Sequence, residues 1–166
     1  MMKTVCAIFA LFLAVTLAGG QYSVDAAPKN PFLKLKGSWK GKGNVKPKDG
    51  QPERVSCRVK YDVKGGGTNV TQNINCAGSG YWIKARTSFK YTPGSQRIDG
   101  TWSASYGDKS DPKKRSTTGE ISGSYINDVI AIDLDSEDYS GGMTIRMSGR
   151  TQEVTIGSLA KLTLTR

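Results

Sequence analysis

The chain has 166 residues and no histidine, and its 24 Lys+Arg against 14 Asp+Glu give a net charge of +10. Lacking imidazole, a nucleophile elbow and a phosphate loop, it offers little to build an active site from, and we expect a non-catalytic protein with no cofactor and no metal. Twenty glycines and six prolines suit an all-β domain with many turns.

Met1-Met2-Lys3 gives a short positive start, Val5 to Ala18 is apolar, and Val24-Asp25-Ala26 offers a small-residue cleavage site. This is the pattern of a secretory signal peptide over residues 1–26, with an apolar core too short for a comfortable membrane span. A retained N-terminal anchor is the rival reading. Residues 27–166 are then one exported domain, periplasmic or secreted, with no further span and expected to be a monomer.

Beyond residue 30 nearly every segment alternates with period two, and none keeps a helical period. Strands are expected near 33–46, 54–63, 69–77, 80–91, 96–106, 119–126, 128–135, 142–149, 152–157 and 160–165. Ten short strands with short links favour an up-and-down antiparallel barrel or a strongly curled, calycin-like meander, which removes exposed edges. A two-sheet sandwich is the alternative.

In "LKLKGSWKGKGNVKPKDG" the even positions carry Lys34, Lys36, Lys40, Lys42, Lys46 and Lys48, expected on the outer face of the first strand. The second strand turns Val55, Cys57, Val59, Tyr61 and Val63 inward and Arg54, Arg58 and Lys60 outward. In the third, Val70, Ile74 and Cys76 share a phase, and the glycine-rich "KGGGTN" makes the turn between the two. If Cys57 faces Cys76, facing residue numbers sum to 133. Val59 then meets Ile74, Val63 meets Val70, and every apolar residue finds an apolar partner. Export places these thiols where a disulfide persists, and we expect a stabilising Cys57–Cys76 bridge.

In "GYWIKARTSFKY" the inward phase takes Tyr81, Ile83, Ala85, Phe89 and Tyr91, which turns Trp82 outward beside Lys84, Arg86 and Lys90. A tryptophan in a cationic ladder can stack on a ring while its neighbours hold anions. The candidate anion-binding residues are therefore Lys34, Lys36, Lys40, Lys42, Arg58, Lys60, Trp82, Lys84, Arg86 and Lys90. The lysines serve equally well as solubility and edge protection.

Three stretches, "LKGSWKG", "IDGTWSA" and "ISGSYIN", place a glycine two residues before Trp39, Trp102 and Tyr125. Glycine and ring share one face, together with Leu35, Ile98 or Ile121. Small beside large is how a tight barrel fills without clash. These rings are expected to be core, lining a ligand cavity if the barrel is wide enough. Farther on, Ile130, Ile132 and Leu134 alternate with Asp133 and Asp135, a solvated strand face.

The charge is unevenly spread. Residues 27–115 hold 19 basic against 6 acidic side chains, and residues 116–166 hold 4 against 7. A cationic exported protein is drawn to lipopolysaccharide, anionic lipid or acidic polysaccharide. Specific nucleic-acid binding is not expected, since no recognition module is present.

Gly37-Ser38-Trp39 resembles the G-x-W signature of lipocalins and related calycin barrels, which implies a tryptophan plugging one barrel end against an arginine, here Arg166 or Arg150. Glu137-Asp138-Tyr139 weakly resembles the T-D-Y turn of that family. "GSWKGKGNV…ERVSCRVKY", "INCAGSGY", "IDGTW", "ISG" and "QEVTI" are together similar to uncharacterised small exported proteins of alphaproteobacteria, which implies a periplasmic β-barrel and no activity. Small disulfide-bonded barrels that inhibit secreted proteases resemble the chain in size, export and one bridge. Three functions stay open: a basic face for an anionic or amphipathic envelope partner, a lipocalin-like carrier of a small apolar ligand, and a protease-inhibitor or structural envelope protein.

Overall fold

In a computed structural model the described residues are 30–46, 51–110 and 113–166. The expected signal segment 1–26, and Lys48, lie outside them. Ten antiparallel strands run in chain order, β1 (Gly37–Val45), β2 (Glu53–Lys64), β3 (Asn69–Ala77), β4 (Tyr81–Thr92), β5 (Arg97–Asp108), β6 (Arg115–Ile126), β7 (Val129–Asp135), β8 (Ser140–Ser148), β9 (Thr151–Ile156) and β10 (Ala160–Thr165). Each pairs with its chain neighbours, and β1 pairs with β10, which closes the barrel. Closure follows from the alternation: with one face of every strand apolar, rolling the sheet buries that face and satisfies both edges at once. Among the described residues no helix is long and apolar enough to cross a membrane.

The β2–β3 hairpin has the register that the cysteines require. Cys57 faces Cys76, Val59 faces Ile74 and Val63 faces Val70. The disulfide joins the two strands across the inner face, with Cα atoms 4.1 Å apart.

The start of the first strand differs from expectation. Pro31–Leu35 form a short 3₁₀ helix. Proline has no N–H to donate and its fixed φ suits a first helical turn, while the Asn30 side chain accepts from the Phe32 N–H at 3.1 Å. The strand begins only at Gly37, whose φ of +118° re-aims the chain in a conformation that a side chain would oppose. Lys34 and Lys36 therefore leave the ladder of β1. Lys34 instead stands 3.8 Å from Asp128 across the barrel end.

That 3₁₀ turn plugs the barrel. Phe32 packs among Phe89, Tyr91 and Tyr125, with ring centroids 4.6–5.6 Å away. Trp39 is buried beneath it and donates its Nε1 proton to the Leu35 carbonyl at 2.7 Å. Of the two arginines left open, Arg166 covers the indole, its guanidinium 5.5 Å from the ring centroid and bonded to the Lys36 carbonyl at 2.8 Å. Arg150 braces the Arg166 carbonyl at 2.9 Å.

Trp39, Trp102 and Tyr125 face inward and pack with the core. Tyr125 closes the plugged end and bonds Asp128 at 2.8 Å, and burial together with that bond pushes its hydroxyl up to about 12. Trp102 lies at mid-strand against Tyr139, over Gly119, where a Cβ would come within 2.7 Å of its Nε1. The small residue that admits this ring thus comes from the neighbouring strand.

One feature of the interior escapes the period-two reading. Gln72 and Gln152 occupy inward positions and are fully buried. The Tyr61 hydroxyl joins them, accepting from Gln72 Nε2 at 2.7 Å and donating to Gln152 Oε1 at 3.1 Å. Burial drives the Tyr61 hydroxyl well above its ordinary range.

A candidate anion-binding groove

The outward phases of β1 to β5 stack into cross-strand rows. Lys42, Ser56, Ala77, Trp82 and Gly107 form one row, and Lys40, Arg58, Asn75, Lys84 and Ser105 the next. A third runs through Ser38, Lys60, Asn73, Arg86 and Ser103. Together they hold six cations and no carboxylate, because β1, β2 and β4 each place basic residues two apart while β3 places neutral ones. Among the described residues none of the six belongs to an ion pair within 4.0 Å.

Over the first two rows lies a groove of about 630 Å³. Its walls are Lys40, Lys42, Arg58, Lys84 and Trp82, and its floor is the backbone above the disulfide. The hollow follows from side-chain size, since Ser56, Asn75 and Ala77 are short and the flanking lysines and Trp82 are long. A volume of this size is within the range of small-ligand sites.

Trp82 takes the outward phase expected of it but is half-buried. Its indole lies flat on Gly107, where a Cβ would stand 3.1–3.2 Å from three ring atoms. Lys84 Nζ sits 6.0 Å from the ring centroid. One indole face is thus covered by backbone, and the other belongs to the groove.

The turn that starts β4 is held from two sides. Glu53 accepts at Oε1 from Ser79 Oγ and from the Gly80 N–H, both at 2.7 Å. Lys109 donates its N–H to the Gly80 carbonyl at 2.7 Å and its ammonium to the Gly78 carbonyl. The Ser79 and Gly80 bonds hold the Glu53 carboxyl below its ordinary value. This carboxylate is spent on the turn that positions Trp82.

The structure therefore brings together Lys40, Lys42, Arg58, Lys60, Trp82, Lys84 and Arg86, and leaves out three other candidates. Lys34 and Lys36 belong to the plug and its exit. Lys90 lines a separate hollow of about 390 Å³ with Asp62, Lys64 and Asp99, where carboxylates offset the cations. Asn73, Asn75 and the Glu53 latch were missed. The amides were visible as alternate residues of β3, but their place between two basic strands depends on both flanking registers.

No family model matches the sequence, and no curated protein matches it. Among solved structures the chain is similar to the crystal structure of Rv2717c from M. tuberculosis, at 16% identity and a TM-score of 0.35, covering 86% of this chain and 99% of that one.

Proposed function

We propose that this chain is an exported, non-catalytic barrel protein that binds an anionic or amphipathic envelope component through the outer face of β1–β4. One observation carries this reading: six cations in three rows with no carboxylate, four of them lining a groove of about 630 Å³. Such a surface holds a field that only an external anion or solvent ions can offset. Export supplies the partner class, because anionic lipids and polysaccharides are what an envelope presents.

The carrier reading requires an empty interior. Trp39, Tyr61, Ile98, Ile130, Ile145 and Leu164 are instead at most 2% exposed, filling the plugged and middle parts of the barrel. The test is sedimentation with phosphatidylglycerol vesicles and with lipopolysaccharide at low and high salt. Retention at low ionic strength, lost in high salt and in a Lys40→Glu, Arg58→Glu, Lys84→Glu, Arg86→Glu variant, is expected. Undiminished retention of that variant would overturn it. A reporter fused behind residues 1–26 checks export independently.

A further inference from the structure

The groove holds more than charge. One row of the groove, Arg58–Asn75–Lys84, reads cation, amide, cation, and so does the row beside it, Lys60–Asn73–Arg86, where a smaller hollow shares Asn75 and Lys84 with the groove. Neighbouring strands lie about 4.8 Å apart, so the strands bearing the two cations of each row stand roughly 10 Å apart, with an amide between them. A bare phosphate needs only donors, which the cations already supply. A carboxamide both donates and accepts, and so does a sugar hydroxyl.

Trp82 adds the third element. Its face away from Gly107 is a flat apolar plate in the row next to Asn75, with the Lys84 ammonium over the ring at 6.0 Å from its centroid. A pyranose ring has an apolar C–H face that fits such a plate. A strand of nucleotide bases would call for successive rings, and Trp82 is the only aromatic among the outward positions of β1–β5.

From this we infer that the groove is a site for a phosphorylated sugar, either free or as the headgroup of a glycolipid. Trp82 carries the ring, Asn75 and Asn73 meet its hydroxyls, and the cations of β2 and β4 clasp phosphate groups on either side. The inference rests on the anionic-face reading and adds the sugar to it.

Calorimetric titration with a hexose bisphosphate, inorganic phosphate and glucose tests it, with lipopolysaccharide and phosphatidylglycerol vesicles as the lipid arms. The hexose bisphosphate binds at least about tenfold more tightly than inorganic phosphate, which lacks the ring to stack. Glucose, lacking charge, binds least. The neutral double variant Asn73→Ala, Asn75→Ala weakens sugar-phosphate binding about fivefold or more, as lost hydrogen bonds do. Retention on phosphatidylglycerol vesicles, which depends on the six cations, falls by a smaller factor than sugar-phosphate binding does. Trp82→Ala weakens sugar-phosphate binding by a comparable factor, with an unshifted thermal midpoint showing that the barrel is intact.

Saturable binding of either the soluble bisphosphate or lipopolysaccharide supports the site, and the tighter of the two names the source. If the bisphosphate binds no better than phosphate and the asparagine variant behaves as wild type, the sugar is excluded while vesicle retention keeps the anionic face. If neither vesicles nor sugar phosphate bind, both readings fall. An oligothymidylate of equal charge that outcompetes the sugar phosphate would replace the sugar with a nucleic acid.

Discussion

The two halves of the barrel wall share one interior and present different exteriors. β1–β5 hold six outward cations in three rows free of carboxylate, four of them lining the groove, while β6–β9 show mainly hydroxyls and acids, such as Glu120 opposite Asp135 and Ser122 opposite Asp133. Inside, both halves contribute the same kind of side chain, with Val55 and Val59 on one and Ile130 and Ile145 on the other, all nearly inaccessible. Packing constrains the inner residues whatever lies outside. The inner residues are alike under both walls, so the interior does not call for the basic exterior, and the proposed anionic partner is what would use it.

Four experiments test that contrast. The largest effect is expected from charge. Reversing Lys40, Arg58, Lys84 and Arg86 removes at least about 4 kcal/mol of attraction to an anionic surface, roughly a thousandfold. Reversing Glu120, Asp133, Asp135 and Glu153 leaves retention at least as strong. A gain from the acidic set as large as the loss from the basic set would show that net charge, and not the face, does the binding.

Next comes the disulfide, which lies under the basic half alone. Cys57→Ala with Cys76→Ala costs about 3 kcal/mol in urea denaturation. The same loss appears in the wild type under reductant, and no change on reduction would contradict the bridge. The interior spans both halves through Tyr61, which links Gln72 of β3 to Gln152 of β9. Tyr61→Phe leaves the amides without that hydroxyl and costs about 1–3 kcal/mol. Folding keeps this hydroxyl neutral, because its value is raised above the unfolded one. Its contribution is full below pH 10 and fades as pH rises beyond it, so the alkaline melting profile of Tyr61→Phe is flatter than that of the wild type.

The smallest effect concerns Glu53. Its carboxyl is held below its ordinary value of 4.5 by Ser79 and Gly80, so the contribution is present above that pH and lost as pH falls through the folded value. Glu53→Gln therefore shows a shallower decline of melting temperature in acid. Because the latch positions Trp82, sugar-phosphate binding of the wild type also weakens across the same acid range.

Much of the fold was legible in the chain itself. Alternation set the phase of the strands, and the cysteines with "KGGGTN" fixed one register, because a slip by one residue would have wetted an apolar set. The groove was legible only in part. The outward placement of Lys40, Lys42, Arg58, Lys60, Lys84 and Arg86 was legible because outward phase is a local property. Lys34 and Lys36 carry the same period but belong to a turn begun by Pro31 and ended by Gly37, and Phe32 drew that turn into the barrel mouth.

Which side of each strand meets water is written in the chain, since that choice needs nothing beyond neighbours along it. Which side chains from distant strands meet emerges only in the closed barrel: Trp82 on Gly107, Asn75 between Arg58 and Lys84, Arg166 over Trp39. Such contacts depend on the registers of every strand pair around a closed wall, and closure is a condition on the whole sheet that no single segment carries.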